Sequence, residues 1–136
     1  MRTITTSPAL LHPPLVGAGT SLLIAAFASD LFYWRTLLFQ WNNISIWLLT
    51  AGLIVAAVAA LALFAEVLLG LAGHLAWERF AGFAAAVLLS ILNAFVHSRD
   101  AYTAVVPDGI GLSASVAIIL VALGRRGWAI SQGVRP

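Results

Sequence analysis

Four long apolar stretches fill most of this chain, and they leave it one solvent to fold in: the interior of a lipid bilayer. They run over about 15–33, 44–71, 80–97 and 109–123. Charged residues make up only 9% of the composition, against roughly 25% in soluble domains. A chain this poor in charge cannot cover a water-facing surface. Hydrocarbon offers backbone groups no partner, so each span must close its own hydrogen bonds as a helix. The alternating pattern of a membrane barrel is absent from the sequence. The expected fold is all-α, an integral membrane four-helix bundle forming a single domain over residues 1–136. Four helices of about 20 residues with short loops use nearly all of that length. No room is left for a soluble catalytic domain, and the chain is not expected to be an enzyme.

The first span follows Pro13 and Pro14, whose missing N–H groups suit a helix start. The residues before it lack the pattern of a cleaved signal peptide, so this span is expected to be retained. Asp30 falls in its last turn. The aromatic, polar stretch from Trp34 to Asn43 reads as an interfacial connector. The second span, at 1.5 Å per residue, would reach about 42 Å, beyond a hydrocarbon core of about 30 Å, so it must tilt or project. The third carries Ser90 and Asn93. The fourth, at about 22 Å, is short. Either Arg125 and Arg126 snorkel outward to complete a crossing, or the segment is re-entrant. Small residues, among them Gly17, Gly19, Ala51 and Gly52, allow helices to approach closely.

The sequence pI of about 9.9 rests on a net charge of only +2. Seven arginines and no lysine lie scattered near helix ends, which is no nucleic-acid signature. Arg2, Arg79, Arg125, Arg126 and Arg135 fall on one side of a four-span topology, and Arg35 and Arg99 on the other. That bias puts both termini in the cytoplasm. Trp34, Trp41, Trp77 and Trp128 flank the spans, with Trp47 near the start of the second, as an aromatic belt requires. Cysteine is absent, which excludes disulfides, thiolate catalysis and Cys-ligated metal sites.

Chemistry is left to a few polar residues at membrane depth, where an ionisable group points to function by default. Asp30 lies level with His97 and Arg99, so an Asp30–His97 or Asp30–Arg99 pair across the bundle is expected, either as a clasp between helices or as a proton or ligand site. Glu66 lies on the same membrane side as His74 and His12. Histidines with a carboxylate beneath them could hold a haem iron, haem b being the candidate, although the spacing is not specific and interfacial histidines commonly meet water and headgroups. His12, His74 and His97 are the candidate haem ligands, as His12 with His74 or as His97 with a partner from another subunit. Asn93 reads first as an inter-helix bonding residue. No phosphate loop, nucleophile elbow or His-Glu-x-x-His pair occurs, and no metal site is expected.

The run His12-Pro13-Pro14-Leu15-Val16, with Ser29-Asp30-Leu31 closing the first span, resembles the opening of the small bacterial membrane family DUF2231. Trp47 to Leu53, Asn93 with Arg99, and the Gly-rich ending from Gly124 to Val134 are similar to that family's second helix, third helix and close. Two positions depart from its pattern: Leu89 stands where a His is usual, and Gly73 where an Asp is usual. The resemblance implies a bacterial inner-membrane protein in an electron-transport setting and carries no established activity. The function expected is therefore a non-catalytic accessory or anchor subunit of a larger respiratory or redox complex. Its partners would be lipid and other membrane or redox subunits, with a homo-oligomer an option and nucleic acid excluded. The alternative is a haem-binding electron-transfer subunit. A transporter using Asp30 and Glu66 ranks last, because the internal repeat it would carry is not found.

Overall fold

The computed structural model describes residues 10–72, 76–99 and 105–131, and His74, Arg2 and Arg135 lie outside them. Four helices follow in order: α1 (His12–Thr36), α2 (Phe39–Leu68), α3 (Ala76–Ser98) and α4 (Asp108–Ser131). Each packs on its chain neighbours, and α4 closes the ring against α1. All four are long and apolar enough to cross a membrane. The chain is an all-α, membrane-spanning helical bundle.

One repeat organises the interior. The buried residues of α2 are Asn42, Ser45, Leu49, Gly52, Ala56, Ala59, Leu63 and Glu66, in steps of three and four. In α1 the same rhythm joins Gly19, Leu23, Ala26 and Asp30. It joins Phe83, Ala86, Ser90, Asn93 and His97 in α3, and Gly109, Ser113, Val116 and Leu120 in α4. A repeat of 3.5 residues keeps one seam of each helix facing its partners, as in left-handed bundles. The opposite faces carry large apolar side chains such as Trp47, Leu61, Phe95 and Ile118, all more than half exposed. In a bilayer those faces meet lipid.

Close approach of α1 and α2 depends on missing side chains. A Cβ on Gly19 would lie 3.1 Å from the backbone of Ala56, and one on Gly52 would lie 3.0 Å from Leu22 and Leu23. Without hydrophobic drive between helices in lipid, such close packing is the main source of association.

The helix ends differ from the sequence reading. The expected connector at 34–43 is almost wholly helical, and α1 and α2 are separated only by Leu37 and Leu38. Leu37 adopts a left-handed conformation (φ 54°) and its N–H closes on the Tyr33 carbonyl at 2.7 Å. Polar and aromatic residues there mark the emergence of the helices from hydrocarbon into the interface, not their ends. The second helix begins earlier and stops at Leu68. Gly70, at φ +69°, terminates it: the Leu71 N–H reaches back to the Glu66 carbonyl at 2.9 Å in a Schellman-type cap. The fourth helix is continuous from Asp108 to Ser131, with a crossing segment of 19 residues to Arg126. That is about 28 Å, long enough to span.

Candidate functional site

Apart from Glu66, the polar residues named on the four seams gather at the end of the bundle where α1 turns into α2 and α3 gives way to α4. Asp30 is at their centre, fully buried. Its Oδ1 accepts from the Ser45 hydroxyl at 2.5 Å and lies 3.0 Å from His97 Nε2. Its Oδ2 accepts from the Ser113 hydroxyl at 2.5 Å. Ser113 in turn accepts from Asn93 Nδ2 at 2.7 Å. One carboxylate on α1 is thereby bound to side chains from α2, α3 and α4.

The hydrogen bonds fix where a proton must be. His97 Nδ1 lies 3.0 Å from the backbone carbonyl of Asn93, which can only accept, so Nδ1 carries hydrogen. Nε2 and Asp30 Oδ1 would then repel each other unless a second proton lies between them. The pair therefore holds one proton in common, whether written as imidazolium and carboxylate or as neutral imidazole and carboxylic acid. Either form is neutral overall, which is what burial at membrane depth demands. Ser45 has another acceptor within reach, the Ala26 carbonyl at 3.2 Å, but its single hydrogen has the shorter path to Asp30.

This end has more bonding capacity than the described residues use. Asn42 is fully buried one turn before Ser45, and neither atom of its amide has a partner among the described residues; Asn93 Oδ1 is in the same condition. Gly109 makes room for the imidazole, since a Cβ there would meet His97 Cε1 at 3.0 Å.

The opposite end holds a second carboxylate–histidine pair. Glu66 Oε2 bonds His12 Nδ1. Its Oε1 accepts the backbone N–H of Leu11 at 2.6 Å and of His12 at 3.3 Å. The first four amides of a helix have no acceptor of their own. Here two of the four belong to Pro13 and Pro14, which carry no hydrogen, and Glu66 takes the other two. A residue of α2 thus caps α1, with its charge at the favourable end of the helix dipole. Beside the pair lies a cavity of about 360 Å³ between α1 and α4, walled by His12, Gly17, Arg79, Phe83, Leu120 and Gly124.

Family comparison agrees with this architecture. The family model DUF2231, described as a predicted membrane protein, matches residues 8–134. The chain belongs to the DUF2231 family. No curated protein and no solved structure matches it. This DUF2231 chain brings together Asp30, His97 and Asn93, three of the residues singled out in its sequence. Of the two expected partners for Asp30, the structure selects His97; Arg99 is exposed and has no side-chain partner among the described residues. Glu66 joins His12. His12 and His97 stand at opposite ends, about 27 Å apart along α1 from His12 to Asp30, and His74, the expected partner of His12, lies outside the described residues. His97 has both ring nitrogens engaged. Ser45, Ser113 and Asn42 were not singled out in the sequence, although the three-four spacing that carries Asn93 to His97 also carries Asn42 to Ser45. Leu89 packs against the apolar core. Among the described residues no group of three or more His, Cys, Asp or Glu could hold a metal ion.

Proposed function

We propose that this DUF2231 protein is a non-catalytic membrane subunit, an accessory or anchor component of a larger assembly of the respiratory or redox kind in the bacterial inner membrane. One observation supports this above others: both buried carboxylates are consumed within the bundle. Asp30 is closed by three side chains, and Glu66 by a histidine and two backbone amides. Groups so engaged serve to hold helices together. The respiratory setting is an implication of family resemblance, and the arginine bias supports a cytoplasmic location for both termini.

The test is purification in gentle detergent from native expression levels, with mass spectrometry of what accompanies the protein. A constant ratio to larger membrane proteins and a colourless preparation are expected. Recovery of the chain by itself, at full yield, would overturn the subunit reading. Reporter fusions at the two ends check the orientation, and signals from opposite compartments would refute it.

A second reading, haem binding, draws on one detail. The Glu66 carboxylate orients His12 through Nδ1, as a carboxylate behind a metal-bound histidine does, and leaves Nε2 without a partner among the described residues. Of the described histidines only His12 is free to serve. This reading requires a Soret band in the purified protein that disappears in His12→Ala.

A further inference from the structure

We infer that the cavity between α1 and α4 is a binding site for one acyl chain of an anionic amphiphile, with the headgroup carboxylate or phosphate at Arg79. The proposal is independent of the subunit reading.

Three features lead to it. First, no side chain from either flanking helix obstructs the cleft at two of its lining positions. Gly17 on α1 and Gly124 on α4 both line the cavity, and a Cβ on either would meet nothing within 4 Å. These positions contrast with Gly19 and Gly52, whose missing side chains bring α1 and α2 into contact. Second, the walls are those of an acyl-chain site. Val16, Phe83, Leu120 and Leu123 supply an apolar surface, and the volume of about 360 Å³ lies within the usual range for small-ligand pockets. Both Gly17 and Gly124 are exposed, so the cleft opens sideways, towards lipid. Third, the one charged side chain among the lining residues is uncommitted. Arg79 is half-buried in the first turn of α3 and has no ion pair or hydrogen bond among the described residues. A guanidinium so placed matches a carboxylate or phosphate bidentately. His12 supplies a second polar contact through Nε2, because Glu66 occupies Nδ1.

The ordinary alternative is that Arg79 meets bulk headgroups at the membrane surface and the cleft takes lipid without preference. The two differ in stoichiometry and in dependence on cavity shape. The full chain, purified in detergent and stripped of lipid, would be titrated with oleate, with phosphatidylglycerol, and with oleyl alcohol as the uncharged probe. Native mass spectrometry would count bound molecules.

One retained oleate or phosphatidylglycerol per chain is expected, and at least about tenfold weaker retention of oleyl alcohol. Gly124→Leu fills the cleft and should abolish retention of both anionic probes. Gly111→Leu, at another position with open space for a Cβ and outside the cavity, should retain them and shows that a new leucine does not itself disturb the fold. Arg79→Gln should bring the anionic probes down to the level of the alcohol. Preference for oleate over phosphatidylglycerol would identify a free fatty acid as occupant, and the reverse a phospholipid. Equal binding of all three probes, or unchanged binding in Gly124→Leu with helix content intact, would overturn the proposal.

Discussion

At one end of the bundle Asp30 meets His97 in complete burial, and hydroxyls from α2 and α4 close around the carboxylate. At the other, Glu66 meets His12 where 14% of the histidine side chain and 9% of the glutamate remain accessible. The paired groups, carboxylate and imidazole, are the same and the surroundings are not. The enclosed carboxylate has gathered a partner from every other helix. The rim carboxylate has taken backbone amides of one neighbour and stands beside a cavity. The contrast teaches how burial sets the role: where no water or headgroup can reach, polar groups must satisfy one another, and the helices that carry them become locked together.

The largest effect is expected from Asp30→Ala. The substitution leaves a buried imidazole and two hydroxyls aimed at an empty position. Removing one partner of a buried pair costs about 3–5 kcal/mol, a large share of the stability of a bundle this size. Thermal unfolding in detergent measures it. Adding His97→Leu to Asp30→Ala should recover part of the loss, because the orphaned imidazole is gone. A change below about 1 kcal/mol in the single variant would mean that the enclosed pair holds nothing together.

Glu66→Ala should act locally. The amides of Leu11 and His12 lose their acceptor, and the first turn of α1 frays. Hydrogen exchange at those two amides should approach that of an unprotected chain while α3 and α4 keep their protection. Loss of protection throughout the bundle would erase the distinction between the two ends.

A smaller effect separates two glycines of α4. In Gly109→Ala the new methyl meets His97 Cε1 at 3.0 Å and Nδ1 at 3.4 Å. Crowding of this kind costs about 1–3 kcal/mol. In Gly111→Ala the methyl meets nothing within 4 Å, and better helix propensity should give neutrality or a gain of up to about 1 kcal/mol. Equal outcomes at the two positions would show that the imidazole moves freely and is not fixed by its neighbours.

The membrane class, the four helices and a partner for Asp30 at the end of the third span were legible, because apolar runs contrast with scattered charge and one carboxylate lies level with one histidine and one arginine; the choice of His97 over Arg99 was not. The span boundaries were less legible. Trp34 to Asn43 has the composition of a connector, yet only Leu37 and Leu38 interrupt the helices, because composition reports where a helix leaves hydrocarbon and not where it stops. Asn42 was assigned to that connector and is in fact on the buried seam. Ser45 and Ser113 carry no signal alone, since serine is common in membrane helices and bonds its own backbone, as Ser90 does to Ala86 at 2.8 Å. Only the three-four rhythm shared by four helices singles them out. The capping of α1 by Glu66 was beyond reach, because it joins residues 54 and 55 positions apart.

The smallest effects test whether the enclosed cluster is a sum of bonds or a unit. Bonds between membrane helices average about 0.6 kcal/mol each. Ser45→Ala removes one bond to Asp30, so about that much should be lost. Ser113→Ala removes two, its own to Asp30 and the one it accepts from Asn93, so about 1 kcal/mol should be lost. Simple addition therefore orders the three variants Asp30, Ser113, Ser45. If Ser113→Ala instead approaches Asp30→Ala, the chain Asn93–Ser113–Asp30–His97 is cooperative, and removing its middle link breaks the whole. A double-mutant cycle between Ser45 and Ser113 decides between these cases. The two hydroxyls bond different oxygens of one carboxylate, so a coupling near zero means independent bonds, and one above about 0.5 kcal/mol means that each serine depends on the other to hold Asp30 in place.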